Sequence, residues 1–155
     1  MKTQRRSVLK KLLASVAGVA GFGVAAKAMD NTSISGKEAG DIVYDDQQVP
    51  RFSQYIVHNG LVYISGQGYH KEGDIKVHTD NVLKDLEDRL KKAGSSMEKV
   101  LKVNVYLNDI ADYDAMNEVY TGRFGSKPPV RTTVAVAKGG VPGNSLVEID
   151  CIAYV

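Results

Sequence analysis

The run Phe52 to His58, Asn59-Gly60 and Leu61 to Gln67 constrains this chain more than any other stretch. Asn-Gly supplies the two positive φ angles of a tight I′ turn, and the flanking runs are rich in β-branched and aromatic residues, so two antiparallel strands must meet there. A short edge strand from Asp41 to Asp45 precedes the hairpin.

Beyond the hairpin the apolar period changes. From Thr79 to Ala93, Val82, Leu83, Leu86, Leu90 and Ala93 form one stripe, the pairs Asp85/Arg89, Glu87/Lys91 and Asp88/Lys92 fall at i,i+4 on the other side, and Gly94 ends the helix. Leu101, Val103, Val105 and Leu107 then alternate with polar partners as a strand, and Asp109 caps a second helix with the stripe Tyr113, Met116, Tyr120 and Phe124. Two more strands close the chain, giving the order βββαβαββ. An α+β domain follows, with two helices on one face of a mixed six-stranded sheet.

The last two strands, Val130 to Ala137 and Leu146 to Val155, flank a Gly/Pro/Asn loop and read as a hairpin. Glu148 and Asp150 alternate with Val147, Ile149 and Cys151. If Ala137 pairs with Leu146, then Arg131, Thr133 and Ala135 share a face with the two carboxylates. A sheet face that mixes apolar residues with opposite charges calls for cover by another subunit.

Residues 1 to 28 carry six basic residues and no acid, with an apolar run from Leu12 to Ala26 and a small-x-small end at Ala26-Lys27-Ala28. That pattern is expected of a bacterial export signal, and Gln4-Arg5-Arg6-Ser7-Val8-Leu9-Lys10 resembles the twin-arginine motif, with departures at Gln4 and Val8. The alternative is a short membrane anchor, but the apolar run is well below the ~20 residues that span a bilayer. The expectation is a periplasmic protein that meets the membrane only transiently during export, with a linker at 29–40 and a domain at 41–155. Removing six of the 20 basic residues leaves 14 against 18 acidic ones. A mildly acidic domain without a basic cluster is a poor nucleic-acid binder. Cys151, the single cysteine, excludes an internal disulfide and reads as a core residue rather than a reactive thiol.

Several residues in order carry a resemblance: Ser65-Gly66-Gln67 at the hairpin's end, Asn117 and Tyr120 one turn apart, Pro129-Val130-Arg131, and Val147-Glu148-Ile149-Asp150 followed by Ile152-Ala153. Together they resemble the YjgF-type, or reactive intermediate deaminase (Rid), family over residues 41 to 155. The resemblance implies a chorismate-mutase-like fold, a homotrimer with clefts between subunits, and hydrolysis of 2-imino acids such as 2-iminopropanoate and 2-iminobutanoate to 2-oxo acids and ammonia. It implies neither a metal nor an organic cofactor.

Two roles stand open for Arg131 on the residues alone. Its rigid fork can hold a substrate carboxylate through two parallel hydrogen bonds, or it can form a structural ion pair with Glu148 or Asp150. The resemblance favours the substrate, and gives Glu148 the task of orienting the attacking water as a general base. Asp150 is read as structural. Gly66 brings backbone close to the ligand, Asn117 offers a side-chain hydrogen bond, and Tyr120 walls the cleft. Phe52 stands where the family often has Tyr, losing a hydroxyl that would reach a neighbouring subunit's site and shifting preference toward apolar substrates. Thr133 stands for a frequent Cys and keeps a hydroxyl. Asn117 is either buried with a partner or an exposed helix-edge residue.

His58, His70 and His78 lack metal-ligand spacing and read as surface residues. Gly66-Gln67-Gly68 is no dinucleotide loop, since no helix follows. Three functions follow in order: an imine deaminase, a non-catalytic binder of 2-oxo acids in the same cleft, and a nuclease, which the acidic charge disfavours.

Overall fold

The computed structural model describes residues 36–155, so the expected signal at 1–28 and the linker up to residue 35 lie outside the described residues. The elements are β1 (Glu38–Tyr44), β2 (Pro50–His58), β3 (Leu61–Gly68), α1 (Ile75–Lys92), β4 (Val100–Leu107), α2 (Tyr113–Tyr120), β5 (Val130–Ala135) and β6 (Val147–Tyr154). The expected order βββαβαββ and the mixed six-stranded sheet with two helices are observed, and β1 starts three residues earlier than the sequence suggested.

Asn59 and Gly60 take φ of 52° and 75°, and His58 pairs with Leu61, as a I′ hairpin requires. Helix α1 begins four residues before the expected Thr79. Asp74 is its cap, accepting a hydrogen bond from the Val77 N–H at 2.9 Å. Its C-terminus closes on Gly94 (φ 79°), with the Ser95 N–H reaching the Leu90 carbonyl and the Gly94 N–H the Lys91 carbonyl. Of the three expected i,i+4 ion pairs on this helix, Glu87–Lys91 forms, whereas Arg89 and Lys92 both turn to Asp41. Asp41 has φ of 49°, an irregularity in β1 that accompanies its turn toward the helix, where it ties an edge strand to the helix end. Asp109 caps a single 3-10 turn at Ile110–Asp112, and α2 proper starts after it.

The strand order is β1-β2-β3-β6-β4-β5, antiparallel except for β4 and β5. Here the expected C-terminal hairpin is corrected: β5 and β6 are not neighbours, because β4 lies between them. The segment α2 carries the chain from β4 back to a parallel β5, the usual use of a helical crossover, and the loop after Ala135 is long enough to step over β4. Gly/Pro/Asn residues mark that loop equally well whether the strands it joins are adjacent or not.

Between sheet and helices lies one core. Val62 and Ile64 of β3, Val103, Val105 and Leu107 of β4, and Val147, Ile149, Cys151 and Ala153 of β6 face Val82, Leu83, Leu86 and Leu90 of α1, with Met116, Tyr120 and Phe124 alongside. Cys151 is buried as expected, and burial first, then Asp150, pushes its thiol up to about 12. The opposite sheet face has no such cover among the described residues. Phe52, Tyr63, Val130, Val134 and Tyr154 remain exposed there, Val130 at 69% and Phe52 at 50%.

Candidate functional site

Strand registers decide where each candidate side chain points. Arg131 stands opposite Val103, and Val103 stands opposite Cys151, so Arg131 shares the helix-covered face with both buried residues. Thr133, opposite Val105, does the same. Glu148 stands opposite Tyr106 and Asp150 opposite Asn104, on the other, open face. Arg131 and Glu148 therefore occupy opposite faces of the sheet, and the shared face expected from a β5–β6 hairpin is corrected. A cleft within one chain cannot hold both.

The candidates instead form two groups. In the first, Arg131 lies at the edge strand β5 against α2. Its guanidinium carbon is 4.5 Å from the Tyr120 ring centroid and 5.9 Å from that of Tyr113, and Nη2 donates to the Tyr113 hydroxyl at 3.4 Å. No salt bridge among the described residues involves Arg131, so the structural ion pair with Glu148 or Asp150 does not form. Around this cation, the Thr133 Oγ1 is buried without a hydrogen-bond partner among the described residues, and the buried Tyr120 hydroxyl has none of good geometry there, although it lies close enough to the Arg131 guanidinium to interact with it. Burial pushes the Tyr120 phenol up to about 12, with Arg131 pulling the other way, so it stays a neutral donor at ordinary pH. Asn117, partly buried, falls on the same helix stripe as Tyr113 and Tyr120. A permanent cation with its apolar sides stacked and orphaned hydroxyls beside it is suited to an anionic group with several acceptor oxygens.

The second group occupies the open face. Between Ile64 and Gln67, β3 places two residues, Ser65 and Gly66, against one of β6, which is a β-bulge. Glu148 rests over Gly66, and a Cβ at that position would collide with Glu148 Oε1. Only glycine leaves room for the carboxylate. Asp150 accepts a hydrogen bond from Asn104 Nδ2 at 2.8 Å, which accords with a structural role. Together with burial, Asp150 and Glu148 raise the phenol of Tyr106 above its ordinary value, Asp150 contributing most. Phe52 lies on β2 on this same face, exposed.

Sequence reasoning missed three features. Tyr113 stands in the sequence only as part of an apolar stripe; its place four residues before Asn117 is the signal, but that signal speaks only once Arg131 is known to face α2. Gln67 belongs to the Ser65-Gly66-Gln67 motif, whose implied chemistry has no task for it. It is 7% exposed and donates to four oxygens. His78, expected at the surface, is 3% exposed and inside α1; its Nδ1 accepts the Leu146 N–H at 3.1 Å, and Tyr69 packs edge-on at 5.2 Å. The misplaced helix start caused that error. His70 Nδ1 lies 3.0 Å from the Gly143 carbonyl, consistent with a surface loop contact.

Residues 46–155 match the model of the family described as endoribonuclease L-PSP. Among curated relatives, Protein mmf2, mitochondrial, of Schizosaccharomyces pombe is 41% identical over 110 residues, covering 66% of this chain and 86% of the yeast protein. Reactive Intermediate Deaminase A, chloroplastic, of Arabidopsis thaliana is 31% identical over 172 residues, covering 99% of this chain and 91% of the plant protein. Among solved structures, the Rid-family protein YyfA from Yersinia pestis superposes with a TM-score of 0.69 at 31% identity, covering 77% of this chain and all of that one (100%).

These relatives overturn the expectation of a periplasmic protein with a twin-arginine signal peptide and a passage through the membrane. Their names place them in a mitochondrion and a chloroplast, and the plant alignment extends over nearly the whole of this chain. The physical reason is compositional: a basic, acid-free, Ser-containing and partly apolar N-terminus is common to export signals and organelle transit peptides, so charge and apolarity do not tell them apart.

Proposed function

Since the chain belongs to the endoribonuclease L-PSP family, also known as the YjgF/Rid family, we propose that it hydrolyses 2-imino acids to 2-oxo acids and ammonia in clefts between copies of a homotrimer. The observation that carries this reading is Arg131: a stacked guanidinium with no acid partner among the described residues, beside the orphaned hydroxyls of Tyr120 and Thr133. That combination suits a carboxylate. Because Glu148 lies on the far face, each cleft combines the Arg131 group of one copy with the Glu148, Gly66 and Phe52 group of another. The exposed apolar residues of the open face support such an assembly.

In that cleft Arg131 and Asn117 hold the substrate's carboxylate end, and Glu148 orients a water and takes its proton as the oxygen bonds to the imine carbon. The C=N bond of the protonated imine becomes C–NH2 in a carbinolamine. Glu148 returns the proton to that nitrogen, and collapse forms the 2-oxo carbonyl as the hydroxyl proton passes to Glu148, breaks the C–N bond and releases ammonia. The exposed Phe52 supplies an apolar wall, favouring substrates with small alkyl side chains. Ammonia release from 2-iminopropanoate generated in situ tests the activity: acceleration by the protein and its loss in Arg131→Ala are expected, and equal rates in the two proteins would sink it.

A second reading has its own support. One chain alone holds the Arg131 seat without Glu148, which is all that a non-catalytic 2-oxo acid binder needs. It predicts saturable, Arg131-dependent binding of pyruvate with no imine hydrolysis.

A further inference from the structure

Gln67 is the residue of the Ser65-Gly66-Gln67 motif for which the proposed chemistry has no use, and its surroundings are unusual. Its amide nitrogen lies 2.9 Å from the Ser65 carbonyl, 3.2 Å from the Gly66 carbonyl, 3.1 Å from Ser65 Oγ and 3.1 Å from Gln54 Oε1. Two amide hydrogens thus serve four oxygens, and Ser65 Oγ itself donates to Gln54 Oε1 at 3.2 Å. Two of those oxygens are the carbonyls of the two bulged residues. A bulge breaks the ladder and leaves its backbone groups to be satisfied elsewhere. Gln67 satisfies them from inside the sheet while Gln54 anchors the cluster to β2.

The bulge has a chemical consequence because Glu148 rests on it. Gly66 fills the space directly beneath the carboxylate. A shift of the Gly66 backbone therefore shifts the floor on which Glu148 sits. We propose that Gln67 is a positioning residue, whose amide fixes the Ser65–Gly66 bulge and through it the place of the Glu148 carboxylate over the substrate. This rests on the reading of Glu148 as the water-orienting group. It also makes a distinctive claim, since within one chain Arg131 lies on the opposite face from the bulge, so a shift of the bulge reaches a carboxylate on Arg131 only through the Gly66 wall of the neighbouring copy.

Gln67→Met keeps the volume and removes the donor. The expected result is a loss of about a hundredfold in kcat for imine hydrolysis, the scale of a misplacement of about 1 Å, with a much smaller loss of affinity for pyruvate and faster amide exchange at Ser65 and Gly66. Gln67→Glu places a carboxylate among four oxygens. Its activity relative to wild type should climb as pH is lowered, because protonation restores one donor and removes the repulsion. Wild-type kcat in Gln67→Met overturns the proposal, as does an equal loss of kcat and pyruvate affinity, which marks general damage. Should Gln67→Met fail to fold, Gln67→Asn, whose donor is too short to reach both carbonyls, takes the same comparison. If the wild-type protein releases no ammonia from imines, the deaminase reading fails instead, and amide exchange then decides: unchanged exchange at Ser65 and Gly66 in Gln67→Met overturns the role of Gln67.

Discussion

At the scale of single residues, a buried polar group without a partner marks a candidate binding site when it lies beside a cation that has no acid partner among the described residues, as at Arg131. Tyr120 is 8% exposed with its hydroxyl unpartnered among the described residues. An unmatched buried hydroxyl costs the unliganded protein about 1–3 kcal/mol. Tyr120→Phe is accordingly expected to leave the stability of the free protein unchanged or to raise it, in urea denaturation, while weakening pyruvate binding several-fold in calorimetry. A drop in stability would mean that the hydroxyl has a structural partner. Cys151 gives the pH counterpart. Its folded thiol is pushed up to about 12 from an ordinary 9.0, chiefly by burial, so above pH 9 the unfolded chain loses this proton before the folded one does. Stability then falls as pH rises through that window. The slope of Tm against pH on the alkaline side should be shallower in Cys151→Ala, and an unchanged slope would exclude the thiol as its source.

At the scale of elements, what could be read depended on whether the signal was local. The β2–β3 turn follows from two residues whose backbone preferences admit one turn type, and the stripe of α1 from a period. Both were legible, and both are observed. The start of α1 was not, because the stripe reaches back to the buried Ile75 only through His78 and Thr79, polar residues in core positions, and His78 was misplaced with it. Replacing Asp74 by Ala removes the bond to the Val77 N–H, an expected loss of about 1 kcal/mol, measurable as a lower urea midpoint with unchanged m-value. The β5–β6 pairing failed for a different reason. Strand neighbours are set by crossover geometry over the whole sheet, and a parallel β4–β5 pair places β4 where the hairpin partner was expected. A period of 2 says which residues share a face within one strand, but nothing of how two strands are phased. The candidate residues were thus identifiable one by one, through their chemistry and the ordered motif, whereas their division into two groups on opposite faces was not.

At the scale of the whole molecule, that division becomes a statement about assembly. Arg131 and Glu148 cannot meet through one chain, and the open sheet face carries Phe52, Tyr63, Val130, Val134 and Tyr154 exposed around Glu148, Asp150, Asn104 and Tyr106. Apolar side chains left exposed on a sheet face without cover suit that face to burial against another subunit. Under the proposed homotrimer, Arg131→Ala spoils every cleft through one wall and Glu148→Gln spoils every cleft through the other, so each variant alone is inactive. Unfolding the two together and refolding them as an equal mixture should restore activity, because some clefts then take Arg131 from one variant and Glu148 from the other. Random assembly makes that fraction about a quarter of the wild-type clefts, the product of two even chances around a closed ring. Ammonia release at about that level, with a trimer mass by sedimentation, fits a cleft built from two copies. No recovery in refolded mixed trimers would mean that both groups must act from the same chain, which the opposed faces forbid, and the composite site would fall with it.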